Sequence, residues 1–314
     1  MTEPLVSIVI PLFNKEMWIS QTLASVYNQK YRNWECVIVN DGSTDQSLDQ
    51  ILDFIARHPA NWVVVNIENS GQTFARNYGI AMAKGELIAF LDADDLWHPN
   101  KLEVQVEVFL TDPKVELVFS SYVIFRENQR KFFRFVKGRS PEKLVKDWLN
   151  MRGFGGLIES TGLIKRNTLS AFGNFPTSLS MTSGLDLSLN VVRSKKSIIT
   201  PEPYVFYRLS DGQFHTNEDI LKSDLRVTSS AHSLTSEAHI KLQSSQTSYF
   251  FWSECRRLGK AKFLRGVFQV ILFIDIPKLL LLYFLLSRNI VALLRGVLHG
   301  AEIRAFFQAH KLTL

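Results

Sequence analysis

Four times within its first 122 residues, this 314-residue chain lets a short apolar run give way to a segment with helical spacing. Val6, Ile8, Val9 and Ile10 form the first run, which Pro11 stops, and Trp18, Ile19, Leu23 and Val26 then recur at helical intervals. Trp34 to Val39 is the second run, followed by Leu48, Ile51, Leu52 and Ile55 on a second helical stripe. Trp62 to Ile67 predicts a third strand, and a helix follows from about Thr73 to Ala83. The fourth run is Leu87 to Leu91, with a helix over about Asn100 to Leu110 and a fifth strand over Val115 to Tyr122. Unbroken apolar runs of strand length read as strands covered on both faces. Such strands, alternating with helices through short connections, predict an α/β fold built on a mostly parallel, doubly wound sheet.

Open α/β sheets bind ligands outside the carboxyl ends of their strands. The polar residues gather there, in Pro11 to Asn14, Asn40 to Asp45 and Asp92 to Asp95. Asp92, Asp94 and Asp95 put three carboxylates at the end of one buried strand, where they repel one another unless a positive group sits among them. Asp92 and Asp94 flank one small residue, so a turn there can aim both at a hard divalent cation carrying phosphates. The competing reading is a solvated acidic turn that caps the next helix. No Gly-x-Gly-x-x-Gly follows the first strand and no Gly-x-x-x-x-Gly-Lys-Ser/Thr occurs, so the sequence supports neither a dinucleotide fingerprint nor a P-loop.

Four segments carry a resemblance: Val6 to Asn14, Val39 to Asp45, Ala75 to Gly79 and Phe90 to Asp95. Their order and spacing resemble the family 2 glycosyltransferases, which have the nucleotide-sugar-binding fold called GT-A. The resemblance covers about residues 5 to 125. It continues more weakly through Gly162 to Arg166 and Phe172 to Phe175, which look like an acceptor-side strand and turn. The resemblance implies a donor site formed by Pro11, Phe13, Asn14, Asp41, Arg76, Asp92 and Asp94. Phe13 would lie near the nucleobase and Asp41 would accept its N–H, as an acceptor-only carboxylate suits uracil. Arg76 would reach the nucleotide, Asp92 the ribose, and Asp94 a Mn2+ or Mg2+ ion bridging the diphosphate, with Asp92 and His215 as further candidate ligands. Each residue also has a plain structural reading: packing for Phe13, a surface ion pair for Arg76, a turn for Asp41 in Asp41-Gly42.

One departure from the family pattern concerns the general base that inverting members need. A Glu-Asp pair is usual before the acceptor-side helix, and Ser183-Gly184 stands there in this chain. Asp186 is the candidate base, the other readings being a base elsewhere, weak turnover, or a helix-start charge.

Two regions stand outside the donor motifs. Residues 126 to 146 interleave eight Lys and Arg with Phe132, Phe133 and Phe135. That mixture suits nucleic-acid stacking, an acceptor-side insert, or an anionic lipid-phosphate acceptor, and nucleic-acid binding is the least expected of the three. From Arg256 onward ten Lys and Arg face only Asp275 and Glu302, so the net charge of +6 belongs to the tail. Val267 to Leu286 holds fifteen Val, Ile, Leu and Phe residues together with Asp275, Pro277 and Lys278. The apolar residues favour insertion by roughly 5 to 9 kcal/mol, against roughly 5 to 7 for the two charges, which does not make a span. Arg288, Arg295 and His299 share one helical stripe, as in an interfacial helix. The alternative for this tail is a helical dimerisation arm, giving a homo-oligomer. Cys36 and Cys255 make no disulfide framework, and no signal peptide is visible at the start.

The expected organisation is a glycosyltransferase domain over residues 1–215, with a donor half over about 1–125 and an acceptor half over about 126–215. A helical, basic-apolar region over 216–314 would associate with the cytoplasmic membrane surface. The expected activity is transfer of a sugar from a nucleoside diphosphate donor, with UDP favoured, to a glycan or lipid-linked acceptor in surface-polysaccharide assembly. Its expected place is the cytoplasm, peripheral to the inner face of the plasma membrane. The alternative is a nucleotide-binding scaffold of the same fold. A processive synthase is disfavoured because there is no Gln-x-x-Arg-Trp.

Overall fold

β1 (Val6–Leu12) is buried along its whole length and lies between two parallel neighbours, β2 (Trp34–Asp41) and β4 (Leu87–Phe90). In the computed structural model the described residues are 3–126, 131–136, 140, 159–179 and 183–208. β3 (Trp62–Ile67) extends the parallel set beyond β2. The crossovers run through α1 (Ile19–Tyr27), α2 (Ser47–Arg57) and α3 (Gln72–Met82). These elements match the strands and helices read from hydrophobic spacing to within a few residues at their ends. Both faces of the central strands are covered, which is why their sequences are unbroken apolar runs rather than alternating ones. Ile8, Ile10, Leu23, Cys36 and Ile38 pack in one core layer, while Val9, Ile80, Ile88 and Phe90 pack in another. Gly79 allows α3 to lie close on β1, because a Cβ there would come within 2.4 Å of a methyl of Val9.

The second half of the sheet is mixed. β5 (Leu96–Trp97), α4 (Lys101–Thr111), β6 (Leu117–Arg126) and β7 (Lys131–Val136) follow β4. A single 3-10 turn (Glu159–Thr161) leads into β8 (Leu163–Lys165), α5 (Arg166–Ala171), α6 (Ser183–Ser194) and β9 (Ser197–Arg208). The strand order is β3-β2-β1-β4-β8-β6-β9-β5, with β7 paired to β6. The expected fifth strand is β6, shifted to Leu117–Arg126, and it does not pair with β4. β8 inserts between them and runs antiparallel to both. Local spacing cannot reveal this, since β8 is three residues long and joins the sheet from more than seventy residues downstream of β4.

Among the described residues no helix is long and apolar enough to cross a membrane. The chain divides into two units, 1–242 and 243–314. The C-terminal helices expected over 216–314 lie outside the described residues, as do His215 and most of the basic stretch at 126–146.

Lys101, the first residue of α4, is fully buried. Its Nζ lies 4.0 Å from the Trp97 ring centre and donates to Gln105 Oε1 at 2.7 Å. Gln105 in turn donates to the carbonyls of Val118 and Thr161. Burial pushes the Lys101 amine well below its ordinary value, while the unfolded chain keeps its proton up to that value. Between the two values the unfolded state binds more protons, so stability rises with pH. Lys101→Met removes that dependence. In urea titrations over the pH range just below the ordinary lysine value, wild type is expected to gain on this variant by up to about 1.4 kcal/mol per pH unit as pH rises. A constant difference would show that Lys101 stays charged in the fold.

Candidate functional site

The loops at the carboxyl ends of β1 and β2 are tied together by reciprocal hydrogen bonds. Asn14, in the left-handed region at φ 51°, accepts from the Thr44 amide at 2.8 Å and donates its own amide to Ser43 Oγ at 3.1 Å. The Lys15 amide donates to Ser47 Oγ, and the Glu16 amide to Asp45 Oδ2. Asp45 Oδ1 also accepts the Ser47 amide at 3.0 Å, so this carboxylate joins the β1 loop to the first residue of α2. Burial works against its charge, but the Ser47 hydroxyl and the backbone amides outweigh it and hold the carboxyl below its usual range. Pro11 is buried in β1 opposite Val39. Phe13 is 45% exposed, a large apolar side chain presented at the edge of the site.

Asp41, at the end of β2, is only 3% exposed. Its two oxygens accept the amides of Ser70 (2.7 Å) and Gly71 (2.9 Å), which fixes the loop that starts α3. One turn into α3, Arg76 is as deeply buried, and its guanidinium joins two carboxylates. Nη2 donates to Asp92 Oδ1 at 2.8 Å and Nη1 to Glu159 Oε1 at 3.2 Å. The Phe175 ring centre lies 5.5 Å away, from the segment after α5.

The three aspartates after β4 turn toward different partners. Asp92 faces Arg76 and Gln72. Asp94 faces Lys15, whose Nζ is 2.7 Å from its Oδ2. Asp95 is buried and accepts from Ser160 Oγ (2.7 Å) and from the Arg208 amide (3.0 Å). Burial, reinforced by Asp94 and Asp92, pushes the Asp95 carboxyl well up. Asp94 is also raised by burial, which outweighs the opposing Lys15. Asp95 is therefore a structural post, and Asp92 and Asp94 are the two that face the site.

Among the described residues no group of three or more His, Cys, Asp or Glu is placed to hold a metal ion. Asp94 offers one carboxylate. Magnesium-like ions commonly take one or two carboxylates and complete their shell with substrate phosphates and water, so this donor set fits an ion that arrives with a diphosphate.

Asp186 stands in the first turn of α6 and accepts from Asn190 Nδ2 at 3.1 Å. Ser183, at the helix start, is buried with its Oγ 3.0 Å from Thr73 Oγ1 on α3. Asp186 lies about 160° around the helix from Gly184. The sequence reading missed Lys15, Gln72, Glu159, Ser160 and Arg208. The spacing of Glu159 and Ser160 carries no signal, because only the insertion of β8 brings their turn beside β4.

A family model described as glycosyl transferase family 2 matches residues 7–159. The UDP-Glc:alpha-D-GlcNAc-diphosphoundecaprenol beta-1,3-glucosyltransferase WfgD of Escherichia coli is 36% identical over 177 residues, covering 56% of this chain and 66% of that protein. The putative teichuronic acid biosynthesis glycosyltransferase TuaG of Bacillus subtilis (strain 168) is 35% identical over 145 residues, covering 46% of this chain and 56% of that protein. The chain thus spans about half to two thirds of the length of these relatives. Among solved structures, S. aureus TarS 1-349 in complex with UDP superposes with a TM-score of 0.56 at 20% identity, over 78% of this chain and 70% of that one. The mannosyltransferase PcManGT from Pyrobaculum calidifontis, in complex with GDP-Man and Mn2+, gives 0.59 at 18% identity, over 93% and 83%. These likenesses establish the α/β fold of GT-A type expected from the motifs.

Ser160 ties the acidic turn to the 3-10 turn Glu159–Thr161 through Asp95 and the Asp92 amide. Ser160→Ala leaves a buried carboxylate oxygen without that donor. It is expected to lower the urea-unfolding free energy by roughly 1–3 kcal/mol with an unchanged m-value. An unshifted midpoint would show that this link contributes nothing.

Proposed function

Since this chain belongs to glycosyl transferase family 2 through residues 7–159, we propose that it moves a sugar from a nucleoside diphosphate donor to a glycan or lipid-linked acceptor. The carrying observation is the convergence of Asp41, Arg76, Asp92 and Asp94, from β2, α3 and the turn after β4, at one edge of the sheet. Phe13 is exposed where a nucleobase would stack, and Asp41 keeps further lone pairs beyond the two amides it accepts. Asp92 is held in place by Arg76 for a ribose hydroxyl. Asp94 would hold a Mn2+ or Mg2+ ion, which supplies Lewis-acid neutralisation of the charge that develops on the departing diphosphate. UDP is favoured by the Asp41 carboxylate and by the UDP-dependent name of the WfgD relative.

A single displacement gives inversion: the acceptor oxygen bonds to the sugar C1 as the bond from C1 to the diphosphate breaks. The lipid-linked acceptor rests on the printed substrate of WfgD, a GlcNAc-diphosphoundecaprenol. An acceptor of that kind would suit a chain whose basic, apolar tail associates with the inner face of the plasma membrane, a reading that the excess of Lys and Arg from Arg256 onward supports. One observation favours a second reading, a nucleotide-binding scaffold with weak turnover: Ser183-Gly184 carries no carboxylate at the start of α6.

Calorimetric titration with UDP, with and without Mn2+, tests the donor site. Wild type is expected to bind UDP in a Mn2+-dependent manner. Asp94→Asn is expected to lose at least about tenfold in that affinity and to remove most of the ion dependence, since charge-assisted contacts contribute about 1.5–3 kcal/mol. Failure of UDP to bind under either condition would sink the assignment.

A further inference from the structure

The start of α6 has a feature that its own sequence does not explain. A Cβ placed on Gly184 would stand 2.0 Å from Glu159 Oε1, 2.3 Å from its Cδ and 2.7 Å from its Cγ. These distances are far inside van der Waals contact, so no side chain at 184 coexists with Glu159 in this position. The volume that a residue at 184 would fill holds a carboxylate from the turn before β8 instead. The structure thus places the Glu159 carboxylate beside a helix start, Ser183-Gly184, that supplies none of its own.

We propose that Glu159 is the proton acceptor of the transfer reaction, touching the acceptor hydroxyl at the seam between the donor and acceptor halves. The proposal rests on the glycosyltransferase reading above and deepens it. Its geometry is that of a poised base. The side chain keeps 19% of its surface exposed. Arg76 holds Oε1 at 3.2 Å and ties it to the same guanidinium that holds Asp92, the donor-side carboxylate. A carboxylate has about four acceptor positions, so Arg76 orients this one without filling it.

The other carboxylates of the site are otherwise engaged. Asp41 closes the loop into α3, Asp95 is buried against Ser160, and Asp94 carries Lys15. Asp186 is bonded to Asn190 and lies on the far side of α6 from Gly184. The charged groups facing Glu159 are Arg76 from α3 and Asp92 from the turn after β4. Burial, with Asp92 adding to it, raises the carboxyl against the opposing pull of Arg76, which makes it a stronger proton acceptor than an ordinary glutamate.

In the step, the acceptor O–H bond breaks and its proton passes to Glu159. The freed electron pair forms the bond to the sugar C1, and the nucleoside diphosphate leaves with the pair of the broken C1–O bond.

The test uses the full chain, with UDP as the binding probe. Turnover is read as UDP release from UDP-glucose, UDP-galactose and UDP-GlcNAc, with water or a GlcNAc-diphosphate lipid as acceptor. Glu159→Gln keeps an oxygen toward Arg76 but cannot take a proton. It is expected to bind UDP within about threefold of wild type and to release it at least about a hundredfold more slowly, the range of a general base. Asp186→Asn is expected to stay within about twofold in release. The double variant E159S/G184D returns a carboxylate from the α6 side and is expected to recover at least about tenfold over E159Q. G184A alone is expected to melt lower than wild type, and E159S/G184A to recover that loss, which reads the spatial exchange without turnover. E159Q at the wild-type rate, or the hundredfold loss appearing in D186N instead, would overturn the proposal. UDP binding without release from any of the three donors would overturn it while leaving the donor site standing. No UDP binding would overturn the donor reading and this proposal together.

Discussion

Three carboxylates at the end of one buried strand are the constraint around which this site is arranged. At about 4 Å and an effective dielectric near 20, two like charges cost about 4 kcal/mol, so Asp92, Asp94 and Asp95 cannot share one space unassisted. The fold separates them. Arg76 comes from α3 to Asp92, Lys15 from the β1 loop to Asp94, and the Ser160 hydroxyl with the Arg208 amide to Asp95. Each partner lies on a different element, so settling the charge of one turn also docks the β1 loop, α3, the 3-10 turn at Glu159–Thr161 and β9. Arg208 reinforces this, since its guanidinium donates to the Asp94 carbonyl and to Gln21 on α1. The acidic turn is thus a structural hub before it meets any ligand.

That double role explains which parts were legible in the sequence. The parallel half could be read because burial on both faces prints itself locally as unbroken apolar runs, and every crossover has its helix next in sequence. Asp41, Arg76, Asp92 and Asp94 could be placed at one edge because parallel strands bring their carboxyl ends to one side. The mixed half could not be read the same way. β8 and β5 are three and two residues long, too short for any period to show, and they pair with strands distant in sequence. Ser160 and Arg208 owe their places to those pairings. The sequence showed that a positive group was required among the aspartates, but not that three separate partners would divide the work.

Gly184 shows the same limit from the other direction. In the sequence it is a missing carboxylate, and the obvious substitute is the nearest acid along the helix, Asp186. Along a helix, though, two residues are about 200° apart, so an acid two positions on faces away from the place it would have to fill. A replacement that acts in the same volume must come from across the gap, and Glu159 does. Compensation of this kind follows space rather than chain order, which is why the motif looks broken in one dimension.

The ion pairs also differ in what a ligand must do to them. Arg76 is buried between Asp92 and Glu159 with Phe175 beside it, and removing either carboxylate would leave a desolvated cation poorly paired. This pair can serve as a fixed wall. Lys15 is different: its long side chain reaches the buried Asp94 from a loop and is itself partly exposed, so its ammonium can move to water once another cation takes its place. A cation arriving at Asp94 with a diphosphate would meet an ammonium already there, and one positive charge would take over from another. The carboxylate would then not be left without a positive partner at any stage. The rigid part of the site and its exchangeable part are set by the same quantity, the depth at which each cation is buried.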